Sequence, residues 1–213
     1  MMKKTCWCCI TAIILMFMVA CSSEPQKTSE NKPSEPKPSF QPSYQTGREA
    51  LQRIYIAARS WSVDARPYRI ESQPTKDANG QDGKSGIWQA GFASPSKREI
   101  KLFTWSGIKA DDAPEPGINS RPPDTYNAAN TSTQLFDIAF LKKDSTDAFE
   151  VAQKHGGDKI TKKSPDTQVF YELDWNGREN KLFWRVLYGV SKNDHQLAVD
   201  VDASTGAFIK VER

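Results

Sequence analysis

The sequence predicts an α+β fold of two repeated units, each with one helix packed on a curved antiparallel sheet of three to four strands. Two observations predict this fold. A capped helix pattern is followed by several strand patterns twice along the chain, and turn signals separate the strands. The 213-residue chain also carries enough aromatic and aliphatic residues to build a core without disulfide bonds.

One helix is predicted at the start of each unit. The first, over residues 50–61, follows Thr46 and Glu49, which have the spacing of a capping box. The second, over residues 148–155, follows Asp144 in a similar arrangement, and the Gly-Gly pair after it is expected to end it. Both segments place apolar residues on one helical face, as a helix packed on a sheet requires.

The strand patterns alternate apolar and polar residues or carry aromatic residues. In the first unit they cover residues 68–71, 87–93 and 100–105. In the second unit they cover residues 135–141, 169–175, 182–190, 197–201 and 207–211. Asn176-Gly177 is a strong hairpin signal between two of them. The polar run at residues 76–85 is predicted to be a mobile connection.

Shared spacings predict that the two units are an internal repeat. Trp88 precedes Phe92 by four residues, and Trp184 precedes Tyr188 by four, each ahead of a turn and another strand. Residues 108–134 are rich in proline and form either an inter-domain linker or a long loop across one face. The predicted domains are a leader (1–20), a tether (21–45), the first unit with its Pro-rich connection (46–134) and the second unit (135–213).

The leader has the pattern of a bacterial export signal. Lys3 and Lys4 precede an apolar run of 16 residues, whereas a membrane-spanning helix needs about 20. The run ends in Met18-Val19-Ala20-Cys21, which resembles the lipobox of bacterial lipoproteins, with Met18 in place of the more usual Leu. The resemblance implies cleavage between Ala20 and Cys21 and acylation of the Cys21 thiol. The alternatives are an uncleaved anchor and an ordinary secretory signal.

The anchor implies a location in the cell envelope. Cys21 is the last cysteine of the chain, and two or three acyl chains on it would give stable membrane residence. Ser22 is not the aspartate that signals inner-membrane retention, so the periplasmic face of the outer membrane is expected where the host has one. The tether is rich in proline, serine, glutamate and lysine, and should span between about 26 and 70 Å.

The second unit carries the clearest family motifs. They are Asp144-Ser145 at a helix start, Ala148, Val151 and Ala152 in that helix, Trp184-Arg185-Val186 on a strand, and Val199-Asp200-Val201-Asp202-Ala203-Ser204-Thr205-Gly206 before a final strand. Together they resemble a PepSY-type domain over residues 135–213. The first unit departs further, because it ends in residues 103–107 without the Asp-Ala-x-Thr-Gly turn. The resemblance implies tandem α+β units that bind or restrain other proteins in the envelope.

Composition and motifs indicate no cofactor, metal or nucleic-acid partner. Loss of Lys3 and Lys4 with the leader reduces the formal charge from +3 to +1, so no global field attracts nucleic acid. His155 and His195 lack partners at metal-binding or catalytic spacing. Residues 200–206 depart from the calcium-loop pattern, since the glycine falls one position late.

Aromatic strand residues flanked by cations predict an interaction surface. Its candidate residues are Phe103, Trp105, Lys97, Arg98 and Lys101, and the alternative for the two aromatic residues is core packing. The expected function is a non-enzymatic, membrane-anchored envelope lipoprotein that binds or restrains a protein or peptide, such as a protease. One alternative is a structural or stress-related surface lipoprotein without a specific partner.

A second alternative is a hydrolase with an unrecognised carboxylate site. Asp64 and Glu71 are the acidic pair considered for it, because hydrolysis by two carboxylates needs one as general acid and the other as general base. The sequence offers no nucleophile motif to support this alternative.

Overall fold

The structure, a computed structural model, describes residues 40–111 and 113–213. Phe40–Arg213 cluster into one unit. The leader, Ala20 and Cys21 lie outside the described residues, so cleavage and lipidation stay predictions. No helix within the described ranges is both long and apolar enough to cross a membrane.

The first helix, α1 (Gly47–Trp61), begins at the predicted capping box. The backbone N–H of Glu49 donates to the Thr46 hydroxyl (3.3 Å), and the Glu49 carboxylate accepts from the backbone N–H of Thr46 (3.0 Å). These bonds satisfy N–H groups that have no partner inside the helix. The helix therefore starts three residues earlier than the apolar pattern alone indicates.

The second helix is longer and less regular than predicted. α2 (Ser145–Ala152) begins at a capping box of Asp144 and Asp147. The chain then makes a wide turn over Gln153–Gly157 and continues as α3 (Asp158–Lys163). Within this turn His155 (φ −105°) and Gly156 (φ 118°) leave helical geometry, so the helix that begins at Ser145 is interrupted at the predicted glycine pair. The interruption agrees with the prediction, whereas the further helix α3 that follows was not predicted.

The strand predictions are largely confirmed, to within one or two residues at most ends. In chain order the strands are β1 (Gln45–Thr46), β2 (Arg66–Ser72), β3 (Lys84–Ser85), β4 (Ile87–Ser94), β5 (Glu99–Ser106), β6 (Gly117–Ser120), β7 (Asp124–Thr125), β8 (Gln168–Asn176), β9 (Lys181–Gly189), β10 (His195–Asp202) and β11 (Phe208–Glu212). Among the described residues, nine of them form one antiparallel sheet, while β1 pairs separately with β3.

The large sheet runs through both halves of the chain without a break. Its order is β11-β10-β9-β8-β2-β4-β5-β6, and β7 pairs with the far end of β5. The halves join where β2 pairs antiparallel with β8, with Ile70 opposite Leu173. The α+β class with a large antiparallel sheet is confirmed, and strands on either side of residue 134 belong to the same sheet.

The helices cover one face of this sheet, and the main core lies between the helices and that face. The indole rings of Trp88 and Trp184, both fully buried, meet edge to face at 6.3 Å in the middle of the sheet. Their Nε1–H groups donate to the carbonyls of Gln45 and Lys143, both at 2.9 Å. A buried indole needs such a partner, so these bonds permit the two largest core residues to be buried completely.

The N-terminal ends of α1 and α2 meet above the two tryptophans. The backbone N–H of Gly47 donates to the Ser145 hydroxyl, and that of Arg48 donates to the Asp144 carboxylate, both at 2.9 Å. Residues of the second helix thus complete the cap of the first. Only glycine fits at position 47, because a Cβ there would lie 2.4 Å from the Trp184 ring.

Two connecting segments differ from what their sequences predict, and a third follows one of its two predicted forms. Residues 135–141 are not a strand, because Asp137 caps a 3₁₀ turn over Ile138–Phe140. The described residues between 108 and 134 form the long loop of the two alternatives, and it supplies β6 and β7 along the sheet edge. The polar run at 76–85, which the sequence predicts to be mobile, is attached to the core by a buried hydrogen bond, since Tyr171 Oη donates to the Gly80 carbonyl (2.6 Å).

Candidate functional site

The predicted aromatic surface on β5 does not exist. Phe103 and Trp105 are only 3% and 6% exposed, because they lie opposite Ala90 and Trp88 on the face that α1 covers. The Phe103 ring packs 6.1 Å from that of Trp61. The prediction that these two residues are presented to a partner is therefore wrong, and core packing, the alternative, is what the structure shows.

The three cations of the predicted surface lie at the turn between β4 and β5. Lys97 and Arg98 are exposed, and Lys101 is half-buried with its ammonium 5.4 Å from the centre of the Phe103 ring. Lys97 Nζ donates to the Trp61 carbonyl (2.5 Å) and lies 5.3 Å from the centre of the Trp61 ring. The structure thus joins Lys97 to the end of α1 instead of to β5.

Asp64 ties the end of α1 to the same turn. Its carboxylate accepts from the hydroxyls of Ser62 and Ser94, both at 2.6 Å, and from the backbone N–H of Ser96 at 2.8 Å. These hydrogen bonds hold the pKa of Asp64 well below its ordinary value. A carboxylate held ionised in this way is a poor proton donor or acceptor near neutral pH.

Glu71, the other acidic residue of the hydrolase alternative, belongs to a different group of contacts. It lies on the sheet face opposite the helices, where Lys192 Nζ contacts its carboxylate at 2.5 Å and that of Glu172 at 3.4 Å. Lys192 comes from the turn between β9 and β10, so that turn folds over this face. The structure therefore assigns Asp64 and Glu71 to separate networks.

The face opposite the helices, here called the open face, is lined by ion pairs. Arg69 Nε contacts Asp174 at 2.8 Å across the β2–β8 seam. Arg185 binds Asp200 through two nitrogens, at 2.8 and 3.1 Å, and also contacts Glu212 at 3.2 Å. Asp200 is nearly fully buried, so its charge requires these partners.

A cleft of about 560 Å³ opens at one end of the open face. Its walls come from β2, from the β8–β9 hairpin and from the long loop before α2. The lining residues are Tyr68, Arg69, Thr131, Ser132, Gln134, Asp174, Trp175, Asn176, Gly177, Arg178 and Phe183. Aromatic rings, amides and hydroxyls predominate among them, and their ionised groups are two guanidiniums and one carboxylate.

A register shift in β2 creates the floor of the cleft. The pairing of β2 with β4 slips between Pro67 and Arg69, so Tyr68 and Arg69 both line the cleft instead of alternating. The Tyr68 ring lies across Gly91, where a Cβ would be only 2.2 Å from it. This burial raises the pKa of Tyr68 above its ordinary value, so the phenol stays neutral.

The sequence patterns did not predict this cleft, although one signal for it is present. Proline inside a strand pattern marks a bulge, and Pro67 stands directly before the two residues that the bulge redirects. The remaining walls come from segments far apart in the chain. Only the pairing of β2 with β8 brings Tyr68 beside Asp174 and its hairpin.

Comparisons with known proteins support the fold alone. No protein-family model matches the chain, and no curated protein matches its sequence. Among solved structures, a "putative lipoprotein" from Clostridium difficile 630 matches with a TM-score of 0.52 and 12% sequence identity. The match covers 76% of this chain and 91% of that chain. The class that the fold defines is therefore a two-layer α+β protein, with helices on one face of an antiparallel sheet.

Proposed function

We propose that this protein is a lipid-anchored protein of the cell envelope that binds a segment of another protein, or a peptide, without catalysing a reaction. The cleft on the open face is the observation that carries the proposal. Tyr68 and Phe183 offer rings for apolar side chains, and the Gln134 amide can both donate to and accept from a peptide backbone. The Asn176 oxygen accepts from the backbone N–H groups of Arg178 and Glu179, so only its NH₂ group is available to a ligand.

Charge in the cleft favours a ligand with an acidic group. Asp174 occupies one nitrogen of Arg69, and no ion pair of Arg178 occurs among the described residues. A peptide carboxylate near Arg178 would gain a charge-assisted hydrogen bond. A cleft with this lining suits a short extended segment better than a large flat interface.

The order of segments along the chain supports the anchor. The described unit begins at Phe40, which leaves the predicted tether between it and Cys21. With a span of about 26 Å or more, that tether would let the unit move freely near a membrane. The fold's likeness to the clostridial protein is compatible with this arrangement.

The internal repeat is also part of the proposal. Each half supplies a helix and then strands of the sheet, and the two first strands, β2 and β8, pair at the centre. Trp88 and Trp184 donate to the carbonyl of the residue just before each helix cap. Equivalent bonds at equivalent positions favour a duplicated PepSY-like unit whose two copies share one sheet.

The anchor is tested by changing Cys21→Ala in the native host. We expect the variant to lose labelling by radioactive palmitate and to leave the membrane fraction. Ser22→Ala is the matched control and should remain labelled. Continued labelling of the Cys21→Ala protein would rule out the lipid on this residue.

The cleft is tested by photo-crosslinking in living cells. A photoreactive amino acid replaces Thr131, an exposed residue at the rim of the cleft, or Lys163 at the end of α3 as a control. We expect a discrete crosslinked product from position 131 alone, and its loss when Tyr68→Ala is added. Equal crosslinking from both positions, or a product that is insensitive to Tyr68→Ala, would contradict the proposal.

A further inference from the structure

A cationic surface lies at the C-terminal end of α1, away from the cleft. We call it the basic corner and define it by Arg53, Ile56, Arg59, Val63, Lys97 and Arg98. The first three share the outward face of α1, and Val63 follows directly after the helix. The contacts of Lys97 and Asp64 described above join the β4–β5 turn to this helix end.

Two aliphatic side chains protrude from this surface. Ile56 is 71% exposed and Val63 is 78% exposed, although both belong to residue types that are usually buried. Both side chains lie beside the cations of the basic corner. Single exposed aliphatic side chains can insert into a lipid headgroup layer, whereas a folded partner would need a pocket shaped for each of them.

The charges of the basic corner remain available to an anionic partner, since the ring contacts of Arg59 with Tyr55 (5.8 Å) and of Lys97 with Trp61 (5.3 Å) do not neutralise them. Among the described residues, none of Arg53, Arg59 and Arg98 makes an ion pair with a carboxylate, and Lys97 donates only to a backbone carbonyl. The acidic groups nearest to this surface are Asp64, which accepts three hydrogen bonds, Glu99 beside Arg98, and Glu49, which lies one helical turn before Arg53 and accepts from the backbone N–H of Thr46. Cations therefore outnumber carboxylates here.

We propose that the basic corner rests on the anionic headgroups of the membrane that carries the anchor. Arginine and lysine beside exposed aliphatic side chains are typical of surfaces that lie in the lipid interface. Each cation near an anionic leaflet increases binding about five-fold. The proposal rests on the proposed lipid anchor, which keeps the unit close to the membrane.

The position of the tether agrees with this contact. The chain reaches the folded unit near the N-terminal end of α1, where Ser43 donates to the Gly107 carbonyl (2.8 Å). The basic corner lies at the other end of the same helix, about 22 Å away. The helix layer can therefore lie along the membrane while the open face and its cleft point away from it.

Vesicle binding tests the contact without the lipid anchor. The chain from Ser22 to Arg213 suffices, because the main core of the described residues lies between Ala50 and Ala203. We expect it to co-sediment with vesicles that contain about one-third phosphatidylglycerol and not with pure phosphatidylcholine. Arg59→Gln combined with Arg98→Gln should lower the partition coefficient about 30-fold.

The matched control removes two exposed cations elsewhere. Lys181→Gln combined with Arg213→Gln, at the start of β9 and just after β11, should change partitioning less than about two-fold, because these strands lie far from β4 and β5 in the sheet order. Circular dichroism should show that both double variants remain folded. Equal losses in the two variants, no preference for anionic vesicles, or binding to poly-glutamate but not to vesicles would each overturn the proposal. Failure of the anchor itself would appear separately, as absent palmitate labelling.

Discussion

The two faces of the sheet are stabilised by different means. On the helix face, Trp88 and Trp184 are fully buried, and each indole N–H has a carbonyl partner. On the open face, Arg69 and Arg185 reach carboxylates on the neighbouring strands, and Lys192 reaches two more from the turn between β9 and β10. The comparison shows that the helix face supplies stability by packing, whereas the open face remains polar enough to receive a ligand.

The largest predicted effect comes from the helix face. Trp184→Ala should lower the free energy of unfolding by about 3–5 kcal/mol, because it removes a buried ring and leaves a cavity. Urea denaturation followed by circular dichroism measures the change. Trp88→Ala should cost a similar amount, since its burial and hydrogen bond match. A loss below about 1 kcal/mol in either variant would show that the two rings are not the centre of the core.

A smaller effect is predicted for the buried ion pair of the open face. Asp200→Ala should cost about 2 kcal/mol, because the Arg185 guanidinium loses two charge-assisted hydrogen bonds and keeps only Glu212. The half-exposed partner provides the control, since Glu212→Ala should cost less than about 1 kcal/mol. Equal losses of unfolding free energy from the two changes would mean that the burial of Asp200 does not strengthen its ion pair.

The free energy of unfolding should depend on pH through Asp64, which lies just after the end of α1. Its folded-state pKa lies below the ordinary value, so its ionised form stabilises the fold. That contribution is fully present above the ordinary carboxyl pKa of about 3.9 and declines as the pH falls below it. The stability gap between wild type and Asp64→Ala should therefore be constant near neutral pH and narrow below about pH 4. Urea midpoints across this range test it, and a gap that widens in acid would contradict it.

The smallest effect on stability is predicted at the cleft. Asp174→Asn should change the free energy of unfolding by less than about 1 kcal/mol, because its pair with Arg69 is partly exposed. The same change should nevertheless increase crosslinking from position 131, since it frees the Arg69 guanidinium and makes the cleft more positive for an acidic ligand. A stability loss of several kcal/mol, or unchanged crosslinking, would contradict the view that this part of the open face serves binding more than stability.

Much of the fold could be predicted from local patterns. The capping box of α1 and the strand patterns of β4, β5 and β8 depend on neighbouring residues, and the structure places these strands within one residue of their predicted bounds. Predictions failed where a distant contact decides the conformation. The sequence pattern around Phe103 and Trp105 puts both side chains on one face of β5, but it does not say which face is buried. The position of α1 decides that it covers the face that carries these two residues.

The sequence by itself determined most of the secondary structure, the α+β class and the expectation of a lipid on Cys21, because capping, strand patterns and signal motifs are local. Tertiary structure decided which residues can meet a partner. Pairing of β2 with β8 forms the cleft from segments about a hundred residues apart, as Arg69 and Asp174 show. Packing of α1 against the β4–β5 turn brings Lys97 to Trp61 and forms the basic corner. The physical reason is that contacts between distant segments depend on how elements pack, which no local pattern encodes.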